Sequence, residues 1–556
     1  MKKGAVYMTK CKKSTGFDRR TFLKGAGITA IGAAAVGTLS GCSYKEYTPY
    51  AQGAVGTQGN GSTAVSDTPT FMQAPDAITT FNETIDCDVL VIGAGAAGVP
   101  AALSAAENGA KVVLLQKERI AMSHGNSAAG LNIDKCDKAG VEHLVSMVVK
   151  ANQHRSHREL VRNWAYNSGE ALHWCIDRIS SVNGPVSDDA NNQQKATLNI
   201  NGFKLDYVTA FFGPKPYTTG DAMQSLAKVA QSAGVDIRYS TPAKQLVQDK
   251  NGAITGAVAQ AEDGKYIKVN AKKGTVLATG DYSNDEEMCD YYVPDIHNFA
   301  RKQTNQTGDG HKMGMWVGAA MEKVGHTKML HDFDAGPASM CDMPFLAVCD
   351  NTGKRFMDET VDMSLTNNYL RDGKHPGWYS QVFDSNYMTD AASWKGKLVS
   401  PEGLKTYMPE ENVERKAVFA DQVRTFKANT LEELAEKINQ DPATFVKTVE
   451  EYNALCDAHA DSEFGKDPQY LKPVRQAPFY AIHRRMRVST ICSGLEVDSN
   501  NQALTADGNT IEGLYVIGNC AGNFYGGVDY PLDIFGLSLG RCITAGYMTG
   551  KYLATK

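Results

Sequence analysis

The pattern of apolar residues predicts regular strands and helices from residue 84 onward. Val89 to Ile92 is a short apolar run of the kind that forms a buried strand. An alanine-rich stretch follows, and then a second apolar run from Val112 to Leu115. This order predicts a βαβ unit, in which a helix connects two parallel strands. Residues 536–554 carry the pattern of an amphipathic terminal helix.

The N-terminal part of the chain lacks this pattern, and we interpret it as an export signal and a linker. Residues 43–83 are rich in Gly, Ser, Thr and Ala, which is typical of a flexible linker. Within residues 1–42, Arg19-Arg20 precede a short, mildly apolar run, as in twin-arginine export signals. The segment ends in Leu-Ser-Gly-Cys at Cys42, which resembles a lipobox. An ordinary cleaved signal with a chance cysteine is the alternative.

These features predict where the protein works. The twin-arginine (Tat) route carries folded proteins, so a cofactor would be loaded in the cytoplasm before export. A lipid on Cys42 would then anchor the protein at the extracytoplasmic face of the cell membrane. No other apolar run approaches the roughly 20 residues of a membrane helix.

The composition is that of a globular protein of more than one domain. The chain has 556 residues, of which 42% are hydrophobic and 21% are charged. Its formal net charge of -5 gives no indication of nucleic-acid binding.

A glycine motif follows the first predicted strand directly. Gly93, Gly95 and Gly98 form G-x-G-x-x-G between a strand and a helix, the context of a dinucleotide-binding turn. Glycines there let the backbone approach a pyrophosphate, whose charge is stabilised at the helix N-terminus. The acidic residue expected after the second strand is replaced by Gln116, which can still hydrogen-bond a ribose. Glu118 is a poorer candidate for that role.

Six further segments resemble, in order, the fumarate reductase and succinate dehydrogenase flavoprotein superfamily. They are "MSHGNSAAG" from Met122, the strands from Val235 to Ala259, "GTVLATGDYSNDEEM" from Gly274, "TGDGHKMGMWVGAAM" from Thr307, "GKRFMDE" from Gly353 and "IEGLYVIGNCAG" from Ile511. The resemblance covers residues 84–556 and implies non-covalently bound FAD. Together with the glycine motif it gives the predicted cofactor-binding residues: Gly93, Gly95, Ala97, Gly98, Gln116, Lys117, Asn126, Ser127, Ala243, Thr279, Gly280, Asp309, Asn519, Ser538 and Leu539.

The resemblance also implies an α/β fold with an α+β cap. A discontinuous Rossmann-like FAD-binding domain would comprise residues 84–290 and 476–556. A mobile substrate or cap domain, residues 291–475, would be inserted between them and would close over the flavin. The first turn of the terminal helix, near Ser538, would face the flavin ring.

The substrate prediction depends on residues that this chain lacks. Members of the family that reduce fumarate hold the dicarboxylate with two arginines and two histidines. Of these four, the sequence offers only His331 near an expected position, so we expect dicarboxylates to bind poorly. The segment "YGGVDYPLDIFGLSLGR" instead resembles the ketosteroid dehydrogenase and enone reductase branch, where a tyrosine hydroxyl and a glycine N–H hold a carbonyl oxygen. Tyr530 and Gly536 would be the counterparts.

The function implied is hydride transfer from reduced FAD to a carbon–carbon double bond conjugated to a carbonyl. Enones, enoates and unsaturated lactones, including steroid-like and cardenolide-like compounds, are the expected substrates. The candidate catalytic residues are Tyr530, His331, Tyr369 and Arg371, the last three as proton donors. The alternatives are a respiratory reductase of fumarate, urocanate or aryl acrylates, a ketosteroid dehydrogenase, and a flavin-binding lipoprotein without enzymatic activity.

The electrons are expected to come from a separate partner. The chain has 12 cysteines but no Cys-x-x-Cys pair and no haem-attachment motif. We predict no metal site, and no motif supports an iron–sulfur cluster, although the sequence does not exclude one. Cys87, Cys175 and Cys492 are interpreted as buried small apolar residues. A membrane-associated cytochrome or quinol system is the expected donor.

Overall fold

The computed structural model describes residues 68–183, 193–211, 218–323, 325–331, 335–350, 352–370, 377–412, 422–531 and 534–556. The predicted export signal with Arg19, Arg20 and Cys42, most of the predicted linker, and Arg371 lie outside these residues. None of the helices in the described part of the chain combines the length and the hydrophobicity that a membrane span requires.

Strands and helices are interspersed along the described part of the chain. The strands are β1 Glu83–Ile92, β2 Val112–Leu115, β3 Ser127–Leu131, β4 Gln193–Ile200, β5 Phe203–Phe211, β6 Asp236–Arg238, β7 Ala243–Gln248, β8 Ile254–Gln260, β9 Tyr266–Leu277, β10 Lys328–His331, β11 Leu346–Cys349, β12 Trp378–Phe383, β13 Thr425–Ala428, β14 Phe479–Arg485, β15 Arg487–Ile491, β16 Gln502–Leu504 and β17 Thr510–Val516. The helices are α1 Gly98–Glu107, α2 Lys138–Ala151, α3 Arg158–Asn183, α4 Thr219–Ser232, α5 Glu286–Tyr292, α6 Asp309–Trp316, α7 Met363–Thr366, α8 Tyr387–Asp390, α9 Pro401–Leu404, α10 Leu431–Lys437, α11 Pro442–Asp457 and α12 Leu537–Thr555.

The largest sheet has the parallel core that the βαβ pattern predicts. Its strands run in the order β16-β17-β9-β1-β2-β6. In addition, β8 pairs with β9, and β7 pairs with β8. Strand β1 pairs in parallel with β2 and β9, and β17 pairs in parallel with β9. Ile92 is in register with both Leu115 and Leu277, so the carboxyl ends of these strands meet at one edge of the sheet. Such an edge is where ligands bind in open α/β sheets.

Small residues bring the terminal helix α12 against α1. A Cβ at Gly546 would lie 2.2 Å from the carbonyl oxygen of Ala97, and one at Gly550 would lie 2.2 Å from that of Ala101. Neither position tolerates a larger residue without separating the two helices. The packing holds the middle of α12, at Gly546, against the glycine turn of residues 93–98.

The second half contains an antiparallel sheet of its own, in the order β11-β12-β14-β13. Helices α10 and α11 pack on it around Phe445 and Tyr452. Its base carries a buried ion network, in which Arg355 pairs with Glu359 at 2.9 Å and with Asp461 at 2.7 Å. We call this sheet the cap sheet. It includes strand β14, which lies beyond residue 475, the predicted end of the cap domain.

Strands β10 and β15 form a separate two-stranded sheet, in which His331 is in register with Arg487. Because β15 follows β14 after a single residue, this small sheet connects the cap to the FAD-binding sheet. It also supplies one wall of the site described next.

Candidate active site

A cavity of about 770 Å³ lies at the carboxyl edge of the large sheet. Every predicted cofactor-binding residue except Gly98 lines it, and so do Tyr530, Gly536 and His331. Residues more than 400 positions apart in the sequence, such as Gly93 and Ser538, therefore share one wall. The residues predicted to bind the cofactor and those predicted to bind the substrate therefore line one cavity.

The glycine turn has the geometry that a pyrophosphate requires. Gly93 has φ +106°, and a Cβ there would lie 2.4 Å from the carbonyl oxygen of Ala278. A Cβ at Gly98 would lie 1.8 Å from the carbonyl oxygen of Gly93, so the tight turn can form only with glycine at this position. The role of Gly98 is therefore to allow the turn, and not to contact the ligand. The N-terminus of α1 begins here and favours an anion.

The polar groups after β2 are also in place. Gln116 is buried and its Nε2 donates to the carbonyl oxygen of Ile120 at 3.1 Å, which fixes the direction of the amide. Lys117 Nζ lies 2.9 Å from Asp309 Oδ2 and donates to Thr307 Oγ1 at 2.7 Å. Burial favours the neutral form of Asp309, but the Lys117 ammonium outweighs it and lowers the pKa of this carboxyl. The pair ties the end of β2 to the start of α6.

Tyr530 lies at the N-terminus of α12. Its hydroxyl oxygen accepts a hydrogen bond from the backbone N–H of Ser538 at 3.0 Å, and its side chain is buried. Gly536, with φ +82°, precedes the helix, and a Cβ there would lie 3.0 Å from the backbone of Ala128. The turn therefore needs glycine, and it holds the tyrosine against the first turn of the helix.

A polar cluster lies on the wall formed by β10 and β15. His331 Nε2 lies 2.8 Å from Ser489 Oγ, and its Nδ1 lies 3.4 Å from Lys302 Nζ. Arg487 stands in register with His331, and all four side chains line the cavity. The sequence predicted only His331 among them. The two-residue alternation of Arg487 and Ser489 along a strand was the available signal, but only if β15 had been recognised as a cavity wall.

A hydrogen-bonded chain of three polar residues forms another part of the wall. Asn519 Nδ2 donates to Thr490 Oγ1 at 2.8 Å, and the Thr490 hydroxyl donates to a carboxylate oxygen of Asp281. Asn519 and Thr490 line the cavity, whereas Asp281 is 1% exposed and lies behind them. The sequence predicted Asn519 only.

Two predicted proton donors are not placed in the cavity by the described residues. Tyr369 is 45% exposed, and its ring packs against Phe356 with centroids 6.4 Å apart. It is not among the residues that line the cavity, and its role as a proton donor stays a prediction. Tyr369 was chosen for its short distance in sequence from the "GKRFMDE" segment. That distance does not predict the short turn Asn367–Tyr369, which places the ring at the surface. Arg371 lies outside the described residues.

Several cysteines lie in the apolar interior of the described structure. Cys87, Cys175 and Cys492 are buried, as predicted, and burial raises the pKa of the Cys87 and Cys175 thiols to about 12. In the described part of the chain, no group of three or more His, Cys, Asp or Glu side chains is arranged to hold a metal ion.

The cavity, the glycine turn and the parallel sheet define a dinucleotide-binding flavoprotein, and comparison with known proteins agrees. The chain matches the family model described as "FAD binding domain" over residues 88–530, and it belongs to this family. It is an FAD-dependent oxidoreductase. The predicted superfamily, the fold class and the FAD cofactor are thereby confirmed.

Individual relatives cover most of the chain. A vinyl phenol reductase of Lactiplantibacillus plantarum is 28% identical over 496 residues, which are 84% of this chain and 96% of the relative. A digoxin reductase of Eggerthella lenta is 24% identical and covers 95% of this chain and 97% of its own. The open conformation of a flavocytochrome c3 fumarate reductase superimposes with a TM-score of 0.65 at 22% identity, over 85% of this chain and 79% of that chain. That likeness shows a shared fold.

Proposed function

We propose that the protein reduces a carbon–carbon double bond that is conjugated to a carbonyl group. The observation that carries this proposal is the contact between the Tyr530 hydroxyl and the Ser538 N–H inside the FAD cavity. It places a directed hydrogen-bond donor beside the positive end of a helix, where negative charge on a carbonyl oxygen is stabilised. The names of the vinyl phenol reductase and the digoxin reductase support, more broadly, reduction of a carbon–carbon double bond.

FAD, in its reduced form, supplies the hydride for the β-carbon of such a substrate. The electron pair of the double bond then moves toward the carbonyl oxygen. The Tyr530 oxygen accepts a hydrogen bond from Ser538, and we assign the proton of the hydroxyl to the carbonyl oxygen of the substrate. This hydrogen bond strengthens as the oxygen becomes negative, and it therefore stabilises the transition state.

The remaining step is delivery of one proton to the α-carbon. His331 is the predicted donor that lines the cavity, and its contacts with Ser489 and Lys302 hold the ring in place. We assign the proton to His331 for this reason. Two electrons and one proton arrive with the hydride, and the second proton from His331 completes a saturated product.

The charges on the wall indicate which substrates fit. Lys302, Arg487 and His331 present cationic or polar groups to the cavity, so an electron-rich or anionic oxygen is favoured. Enoates, enones and unsaturated lactones meet this requirement. Arg487 is an arginine that lines the site. It does not occupy either of the positions at which the sequence analysis sought the arginines of the family members that reduce fumarate. Weak binding of dicarboxylates stays a prediction.

The setting of the reaction is also part of the proposal. Arg19, Arg20 and Cys42 support export by the Tat route and lipid anchoring at the extracytoplasmic face of the membrane. Electrons would then come from an external donor, such as a membrane-associated cytochrome or a quinol system. The anchor would keep the enzyme near that donor.

Anaerobic reoxidation of the bound flavin tests the proposed reaction. The purified protein is reduced chemically and mixed with an enone, an enoate, an unsaturated lactone or fumarate, and the visible absorbance of FAD is followed. We expect reoxidation by at least one conjugated monocarbonyl compound and a much slower response to fumarate. Rapid turnover of fumarate would refute the substrate class. Absence of reoxidation by the whole panel would favour the flavin-binding lipoprotein.

A further inference from the structure

The chain of hydrogen bonds from Asp281 to Asn519 has a fixed direction. A carboxylate only accepts, so the single hydroxyl proton of Thr490 is given to Asp281. The Thr490 oxygen must therefore accept, and it does so from Nδ2 of Asn519 at 2.8 Å. The orientation of the Asn519 amide, which lines the cofactor cavity, is thus determined by a residue behind the wall.

Asp281 is also a fully buried carboxyl group. Its second oxygen accepts from the backbone N–H of Ser283 at 2.7 Å, and its side chain pairs with no Lys, Arg or His among the described residues. Burial raises the pKa of this carboxyl, and the hydrogen bonds from Thr490 and Ser283 oppose that effect. Thr490 and Ser283 are both donors to Asp281, which is the arrangement that stabilises an ionised carboxylate.

We propose that Asp281 is a positioning residue for the flavin: its carboxylate orients Asn519 through Thr490, and its negative charge lowers the reduction potential of the FAD held in the cavity. Asp281 directly follows Gly280 and accepts a hydrogen bond from Thr490, and both of these residues line the cavity. Reduction adds negative charge to FAD, and a fixed negative charge in a low-dielectric interior disfavours it. The inference rests on FAD binding and is independent of the substrate.

Substitution of Asp281 by asparagine separates this role from a structural one. Asp281→Asn keeps the size of the side chain, removes the charge, and allows an amide N–H to point toward Thr490, which would reverse the direction of the chain. At a fixed solution potential we expect the ratio of reduced to oxidised FAD to rise about tenfold, which for a two-electron couple corresponds to about 30 mV. The measurement is a spectroelectrochemical titration of the FAD-loaded protein.

A matched control is available in Asp384. It is also buried and accepts backbone N–H bonds, from Asn386 at 2.9 Å and from Arg475 at 2.8 Å, but it lies in the cap and does not line the cavity. Asp384→Asn should leave the reduction potential unchanged. A wild-type potential in Asp281→Asn, or an equal shift in Asp384→Asn, would overturn the proposal.

Variants of Thr490 test the proposal if Asp281→Asn does not fold. Thr490→Val removes the link to Asn519 but leaves the carboxylate, and we expect it to weaken FAD binding about tenfold and to change the visible spectrum of the flavin. Thr490→Ser retains the hydroxyl and should restore both properties. If Thr490→Val keeps the affinity and the spectrum of the wild type, Asp281 does not act through this chain.

Discussion

The phenolic oxygen of Tyr530 accepts a hydrogen bond from the backbone N–H of Ser538, eight residues further along the chain, at 3.0 Å. This contact satisfies one of the free N–H groups at the start of α12 with a side chain that also lines the cavity. The tyrosine therefore stabilises a helix terminus at the cavity wall, and we assign its own proton to the substrate. Both effects depend on the glycine turn at Gly536, which brings the helix start back to Tyr530.

Removal of this hydroxyl is expected to slow catalysis without loss of the cofactor. Tyr530→Phe should lower kcat roughly 10²-fold, as for other single donors to a developing oxyanion, with a smaller change in KM. FAD content should stay at the wild-type level because we assign the hydroxyl to the substrate. The check is steady-state kinetics with a substrate found in the reoxidation assay, together with the FAD-to-protein ratio.

Tyr525→Phe provides the matched control. The Tyr525 ring lies 5.1 Å from that of Tyr530, but its buried hydroxyl has no hydrogen-bonding partner in the described structure. Loss of that hydroxyl should leave kcat unchanged. An unaffected rate in Tyr530→Phe would move the role of carbonyl donor to His331.

Gly95 offers a test of the cofactor site. A Cβ at this position would lie 3.3 Å from the carbonyl oxygen of Met122, so a side chain fits the protein itself with a small adjustment. It would nevertheless occupy space at the pyrophosphate turn. We expect Gly95→Val to fold and to purify colourless. Gly109→Ala, at a positive φ with nothing within 4 Å of the added Cβ, should lose some stability and remain yellow.

Glu322 is expected to make stability depend on pH near neutrality. Its carboxyl is buried and accepts from the backbone N–H of Gly494 at 3.3 Å, and burial raises its pKa from 4.5 to about 7. The folded protein therefore keeps a proton that the unfolded chain releases near pH 4.5, so stability falls as pH rises from about 4.5 to about 7. Above that range this contribution is constant.

Glu322→Gln should remove that slope, because the amide does not titrate. Urea unfolding at pH 5, 6, 7 and 8 would give the free energy of unfolding of both proteins, and the difference in favour of the variant should grow up to about pH 7. A difference that is the same at every pH would show that the carboxyl is ionised throughout.

The N-terminal predictions are tested by cell fractionation. Replacing Arg19 and Arg20 by lysine should leave folded, FAD-loaded protein in the cytoplasm. Cys42→Ala should release the protein from the membrane without unfolding it. If Cys42→Ala stays membrane-bound, Cys42 is not the lipid attachment point, and if the double lysine variant is exported normally, the twin-arginine interpretation fails.

Local chemistry explains which parts of the site were predictable. Gly93 and Gly98 act within one turn, and the sequence around them is sufficient to predict it. Ser538 was predicted because it begins a helix that the apolar pattern reveals. Arg487 and Lys302 were missed, since their place depends on the pairing of β10 with β15, which joins residues 158 positions apart, as in the contact of His331 with Ser489. The position of Tyr369 outside the cavity lining was not predictable, because distance along a loop does not determine the direction of the loop.

The single residue between β14 and β15 has a mechanical consequence. Met486 is fully buried, and its backbone N–H donates to the carbonyl oxygen of Gly377 at 2.7 Å. On one side of it the chain is a central strand of the cap sheet, and on the other side it carries Arg487 and Ser489 into the cavity. A rotation of the cap about this point would act as a lever with a very short arm. Large movements at the outer edge of the cap would then become small displacements of Arg487 and Ser489 in the cavity.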